Sequence, residues 1–276
     1  MNFNYNQTYN NNNIYAPNFT SSCREVYNEL GKLTHRNDTS LFRSDLGDWN
    51  KFAEYIGNKF KNCDKANIYS LSCSAGDEVY SLAMKLIDKY GEKGAEKFFP
   101  IIATDYDPNI IKMAKNGYLP MFAEDVDMIN RQTKGKFNEY FKELDEAPQI
   151  VNNIGMEIFA DYDFIVKVKD KLRNKIKFNV ADATKECKFV EPDNSIVMAR
   201  NFWPYLKDEN SRINLAENLY KRLGKNSAVV IGKFDDTSNA FASKNLTDSG
   251  FICNPENYCI WEKNAVNDIG KYILNL

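Results

Sequence analysis

From about residue 66 the chain alternates short apolar runs of strand length with amphipathic stretches of helical period. No other feature restricts its fold so strongly. The apolar runs fall at 67–73, 98–104, 175–180, 195–199 and 228–231, with two more at 251–253 and 258–262. Between them the spacing predicts helices over 77–90, 108–116 and 208–223. The last of these turns Ile213, Ala216, Leu219, Tyr220 and Leu223 inward and is closed by Gly224. Strand alternating with helix implies an α/β fold, a parallel sheet with helices on both faces. Such a sheet binds ligands at the carboxyl ends of its strands, where the strand order reverses.

The rhythm breaks over residues 117–172, which hold a charged helical region ending at 137–141 and an alternating segment at 163–168. That stretch reads as an insertion with helices and a small hairpin. Upstream, residues 1–20 are asparagine-rich with scattered tyrosines and read as a disordered tail. Residues 21–62 read as a short helical segment. Within it Trp49, Phe52, Ala53, Ile56 and Phe60 share one face behind a plausible Asp48 cap. Residues 63–276 form the main domain.

Composition narrows the chemistry. A net charge of −2 offers no basic excess for a phosphate backbone, so nucleic acid is a poor partner. No apolar run approaches the roughly 20 residues that span a bilayer, and no signal peptide is apparent, so the expected compartment is the cytosol. The six cysteines include no CxxC pair, which suggests neither a disulfide framework nor a zinc site. His35 is the one histidine. Chemistry that needs no imidazole base is therefore favoured.

Four segments can carry a site. The loop S-C-S-A-G-D-E at residues 72–78, beginning at Ser72 and ending at Glu78, joins a strand to a helix N-terminus. It has one glycine, Gly76, where a dinucleotide fold wants three to approach a pyrophosphate. A nucleoside without phosphates suits it, although one glycine also fits a purely structural turn. In A-T-D-Y-D at 103–107, Asp105 ends the second strand, where a carboxylate can accept from ribose hydroxyls. Asp107 reads as the cap before Pro108. The segment A-R-N-F-W-P-Y-L at 199–206 leaves a later strand as a site edge, although Trp203 and Tyr205 also fit plain packing. By itself N-D-T-S-L-F-R at 37–43 is a loop entering the 48–60 helix, with Arg43 on the surface.

Together the four segments resemble the chemotaxis-receptor methyltransferase family (CheR-type). That family has N-x-T-x-F-F-R where this chain has 37–43. Its loop A-x-C-S-T-G-E-E-P-Y-S-L-A-M is similar to C-S-A-G-D-E-V-Y-S-L-A-M at 73–84, its A-T-D-I-D to 103–107, and its R-N-x-x-x-Y-F to the segment from Arg200. Order and spacing agree from about residue 35 to residue 235. The resemblance implies a Rossmann-like S-adenosylmethionine-dependent methyltransferase sheet with a small inserted β-subdomain and no metal. It implies that Asn37, Thr39, Arg43 and Glu78 border the cofactor's methionine end, with Ser72 in the loop beside it. Asp105 would hold the ribose, Asp182 and Ala183 would flank the adenine, and Asn201 and Phe202 would close the site. Arg43 and Tyr205 would stand nearest the transferred methyl.

The implied reaction is methylation of protein glutamate side chains on a chemoreceptor-like helix, met through the inserted subdomain, with S-adenosylhomocysteine as product. The chain departs from the family at Asp182-Ala183, where the family has Asn-Leu, and at Val79, where it has proline. It carries G-K-F-D at 232–235 in place of G-H-S-E, and 36 residues precede Asn37 where the family has a helical domain. These departures keep two alternatives open. One is a methyltransferase acting on another protein or a small carboxylate. The other is a cofactor-binding regulatory module without turnover.

Overall fold

The computed structural model describes residues 26–27, 33–34, 41–146, 148, 163–185, 189, 191–206, 208–236 and 240–263. The asparagine-rich stretch, His35, Asn37 and Thr39 lie outside them. Two short strands, β1 (Val26–Tyr27) and β2 (Leu33–Thr34), pair antiparallel where the sequence suggests helix. Valine, tyrosine and threonine favour extended backbone there. Helix α1 (Trp49–Lys59) then forms as expected. Asp48 caps it by accepting from the Asn50 and Lys51 N–H groups, and Trp49, Phe52, Ala53 and Ile56 are buried. Each such large apolar side chain contributes about 1.5–3 kcal/mol by leaving water.

A seven-stranded sheet follows from β3 (Asn67–Leu71), β4 (Ile101–Asp105), β8 (Ile176–Val180), β9 (Ser195–Met198), β10 (Ala228–Val230), β11 (Phe251–Asn254) and β12 (Asn257–Lys263). Its order is β11-β12-β10-β9-β3-β4-β8. The five strands from β8 to β10 run parallel, while β12 runs antiparallel to both β10 and β11. After β3 the chain moves outward to β4 and β8, then returns to place β9 on the other side of β3. The order therefore reverses between β3 and β9, the kind of point at whose carboxyl ends open α/β sheets bind ligands.

The central strands are apolar on both faces, as a doubly covered parallel sheet requires. Ile68, Ile196, Met198, Ala228 and Val230 face a cluster with α1, α2 (Asp77–Ala95) and α3 (Pro108–Asn116). Tyr69, Val197, Val229 and Ile231 face the opposite cluster with α7 (Glu209–Arg222) and α8 (Ala242–Ser249). Alternation along each strand sorts the two sets. The sheet is thus Rossmann-like, with helices on both faces.

Two local expectations change. The second strand starts at Ile101 rather than at 98, because Glu96–Phe98 closes a 3-10 turn and Pro100 has no N–H to give a ladder. In α7 the buried stripe is Leu215, Ala216, Leu219 and Tyr220. Ile213 falls at its rim and is 37% exposed.

The insertion forms a three-stranded antiparallel subdomain rather than a hairpin alone. Its strands are β5 (Tyr118–Met121), β6 (Phe141–Glu143) and β7 (Phe164–Val168), in the order β5-β7-β6. Helices α4 (Ala123–Thr133) and α5 (Phe137–Tyr140) lie between β5 and β6, and α6 (Asp170–Arg173) leads back to β8.

Candidate functional site

The loop from β3 to α2 is built on left-handed backbone. Ser72 has φ 58°, Ser74 φ 53° and Gly76 φ 104°. Side-chain-bearing residues rarely adopt that region, and such positions gather at functional sites. Gly76 has a second reason to lack a side chain. A Cβ there would stand 2.9 Å from the Tyr80 ring and 3.0 Å from Phe178. The curled loop aims the Ser74 N–H at Asp105 Oδ2, 3.0 Å away, while Oδ1 accepts from the Asp107 N–H at 3.1 Å. Burial pushes the Asp105 carboxyl up to about 6, against the N–H donors that favour its ionised form. Asp105 therefore ties the loop to the end of β4.

Arg200 lies at the end of β9 and is buried. Its Nη1 donates to Glu78 Oε2 at 2.8 Å and its Nη2 to Asp45 Oδ1 at 2.5 Å. The guanidinium carbon sits 5.5 Å from the Trp49 ring centroid, within cation–π range. Trp49 Nε1 in turn donates to the Arg43 carbonyl, and Arg43 Nε lies 3.7 Å from Asp45 Oδ1. Burial raises the Glu78 carboxyl, and Arg200 opposes that rise. Upstream, the Phe42 N–H donates to Ser81 Oγ, which donates to the Asp77 carbonyl, so the 41–49 segment is pinned on α2. Three distant stretches of sequence thereby meet around one guanidinium.

A third element is the turn after β9. Asn201 is left-handed, with φ 62°. The fully buried Asp235 carboxylate accepts from the N–H groups of Gly232 (2.7 Å), Asn201 (2.8 Å), Phe202 (3.0 Å) and Trp203 (3.2 Å). Burial pushes this carboxyl up to about 7, against those donors and Arg200. Asp235 is the fourth residue of the G-K-F-D segment, so the acidic position of G-H-S-E persists here and does structural work. A Cβ on Gly232 would stand 2.4 Å from Asp45 Oδ2 and 2.8 Å from Asn201 Oδ1. Beyond the turn, Tyr205 is 43% exposed with its ring 5.8 Å from that of Phe234.

The structure thus joins Arg43, Glu78 and the Arg200–Asn201 step around one cluster, and Ser72 and Asp105 on the adjoining loop and strand end. Phe202 is buried beside Trp203, their centroids 6.1 Å apart. Asp182 follows Ala181, whose N–H donates to the Asp105 carbonyl at 2.9 Å, and holds a local turn. Its Oδ1 accepts from the Thr184 N–H and hydroxyl, and its Oδ2 pairs with Lys185 at 3.2 Å. Against burial, those donors hold its carboxyl below the usual range. Ala183 is half-buried beside it.

Sequence reasoning passed over Asp45, and it read Asp235 only as part of a departure from the family. An acidic residue two positions after Arg43 was the available signal for the first. For the second it was the Gly–x–x–Asp spacing after an apolar strand.

A cofactor with a cationic amino-acid end and a ribose suits these surroundings. Among the described residues, Asp45 Oδ2, Asn201 Oδ1 and Ser74 Oγ are buried without a hydrogen-bond partner, and buried polar atoms normally have one. The family described as CheR methyltransferase, SAM binding domain, matches residues 37–249.

The chain belongs to the CheR methyltransferase family.

It is therefore an S-adenosylmethionine-dependent methyltransferase. Chemotaxis protein methyltransferase 2 of Vibrio cholerae serotype O1 is 23% identical over 224 residues, 80% of this chain and 69% of that one. The chemotaxis protein methyltransferase of Borreliella burgdorferi is 26% identical over 186 residues, 66% of this chain and 57% of the relative. A solved TehB-like SAM-dependent methyltransferase from Corynebacterium glutamicum aligns over 78% of this chain and 94% of its own, at 15% identity and a TM-score of 0.40. Among the described residues of this CheR-family chain, no helix is long and apolar enough to cross a membrane.

Proposed function

We propose that the chain transfers the methyl group to carboxylates, specifically glutamate side chains on a chemoreceptor-like helix in the cytoplasm. The observation that carries this reading is the setting of Arg43. Its backbone is held by Trp49 and its Nε lies near Asp45, yet its side chain remains 28% exposed at the rim of a buried charged cluster. A fixed guanidinium with an accessible face suits a carboxylate acceptor.

When bound, S-adenosylmethionine supplies an electrophilic methyl on a sulfonium. A glutamate is already ionised at neutral pH and needs no general base. The chain's own contribution is then alignment and removal of water. Arg43 orients the acceptor carboxylate and the Tyr205 phenol donates a second hydrogen bond. Asn37, Thr39, Glu78 and Ser72 border the methionine end, Asp105 takes the ribose, Asp182 and Ala183 flank the adenine, and Asn201 and Phe202 close the far side. The β5-β7-β6 subdomain meets the protein partner.

The test is labelled-methyl transfer to chemoreceptor fragments and to cell extract. Base-labile label in the fragments supports the reading. Label only in other extract proteins or small carboxylates would replace the acceptor, and binding without turnover would make the chain a regulatory module.

A further inference from the structure

We infer that Phe234 is a positioning residue for Tyr205, holding the phenol in the direction from which it meets the acceptor. This rests on the reading that Tyr205 hydrogen-bonds the acceptor carboxylate. Lys233 and Phe234 are the two residues that set G-K-F-D apart from G-H-S-E. Lys233 is exposed, and its Nζ stands 5.8 Å from the Tyr258 ring centroid. Phe234 is half-buried, and its ring lies 5.8 Å from that of Tyr205 at an inclination of 45°. Aromatic rings at that separation attract each other.

The two rings stand on turns that are stapled together. Tyr205 ends the turn Trp203–Tyr205, and its N–H donates to the Phe202 carbonyl at 3.0 Å. Phe234 lies in the turn Lys233–Asp236. The buried Asp235 carboxylate accepts from Phe202 and Trp203 on the first turn and from Gly232 beside the second. Trp203 anchors the first turn further, since its side chain is fully buried and its Nε1 donates to the Ala199 carbonyl at 2.8 Å. Both backbones are thereby set. The Tyr205 side chain is less constrained, being 43% exposed. An exposed side chain keeps its rotamer freedom unless a neighbour removes it. Phe234 is that neighbour, and its place next to Asp235 keeps its ring in step with the turn that carries Tyr205. A small misplacement of a group that aligns the acceptor is costly in rate, so a ring that holds the phenol acts on the transfer step without touching the acceptor.

The alternative is that Phe234 only covers apolar surface and steadies its own turn. Two measurements on the full chain separate the readings. The first is fluorine NMR of chain labelled with 3-fluorotyrosine and bound to S-adenosylhomocysteine, which needs no acceptor. The Tyr205 signal is the one lost in Tyr205→Phe. In Phe234→Ala it is expected to move toward the position of the free amino acid. The second is methyl transfer to a chemoreceptor fragment. Phe234→Ala is expected to lower kcat about tenfold, with the KM for S-adenosylmethionine within about twofold of wild type. Phe234→Tyr, which keeps the ring, is expected to retain kcat within about threefold. In a chain already carrying Tyr205→Phe, Phe234→Ala is expected to cost less than about twofold more, because the two side chains act as one unit. Should Phe234→Ala not fold, Phe234→Leu keeps the bulk without the ring and carries the same expectations. An unmoved fluorine signal, or an equal loss of kcat in both backgrounds, overturns the inference. A signal that moves while Tyr205→Phe leaves kcat intact, or while no fragment is methylated, means that Tyr205 does not meet this acceptor. The underlying reading then fails and the inference with it.

Discussion

Arg200 Nη1 donates to Glu78 Oε2 at 2.8 Å, across 122 positions of sequence. The bond joins the end of β9 to the first turn of α2, the two sides of the point where the strand order reverses. Asp45 takes the other arm of the guanidinium, so the segment before α1 is tied to the same residue.

Arg200→Met leaves Glu78 and Asp45 facing each other with no cation between them. Removing one partner from a buried charged set costs about 3–5 kcal/mol. Denaturant unfolding is expected to show that loss, with weaker S-adenosylhomocysteine binding in whatever remains folded. A loss below about 1 kcal/mol, the size seen for exposed pairs, would mean the cluster is solvated.

Gly76→Ala tests the loop. The residue must hold φ 104° and place a methyl 2.9 Å from Tyr80. A cost of about 1–3 kcal/mol is expected, with reduced cofactor affinity as Ser74 and Asp105 part. Thermal unfolding with and without S-adenosylhomocysteine reads both effects.

Much of the architecture was legible because its causes are local. Asp48, Asp107 and Asp208 cap their helices by accepting from residues two or three positions on, so cap and helix appear together in the sequence. Strand alternation places Ile68 and Tyr69 on opposite faces by the same short-range logic. Asp105 could be picked out because it ends an apolar strand just before a capped helix. The Ser74 N–H that it accepts depends on two left-handed serines, which no periodicity announces. Asp45 and Asp235 were hidden for a related reason. Their partners lie 155 and about 30 residues away in the chain and meet only once the sheet has formed. Asp182 was singled out by its place in the motif order, and the 182–185 turn that its carboxylate holds is again a local matter.

Asp235 gives stability a pH dependence. Its folded carboxyl lies at about 7, above the ordinary aspartate value of 3.8 that stands for the unfolded chain. The folded state thus binds the proton more tightly. The contribution is full below pH ~4, falls as pH rises toward 7, and is flat above. Asp105, at about 6, acts in the same sense over a narrower range. Each group contributes a slope of at most about 1.4 kcal/mol per pH unit. Urea titrations at several pH values are expected to show a shallower decline in Asp235→Asn than in the wild type. Identical slopes would mean the four backbone donors hold Asp235 ionised throughout.

Arg43→Ala and Tyr205→Phe address the chemistry. Each is expected to lower kcat about 10- to 100-fold, while S-adenosylhomocysteine affinity changes far less. Unchanged kcat in both would remove these two side chains from the transfer step.

The central claim is that this CheR-family chain methylates carboxylates. The most direct measurement is peptide mapping of a chemoreceptor fragment after incubation with the chain and S-adenosylmethionine. The account predicts one added methyl on a glutamate, lost on brief treatment with base and absent when that glutamate is glutamine. A base-stable methyl on lysine, arginine or a backbone nitrogen would contradict it.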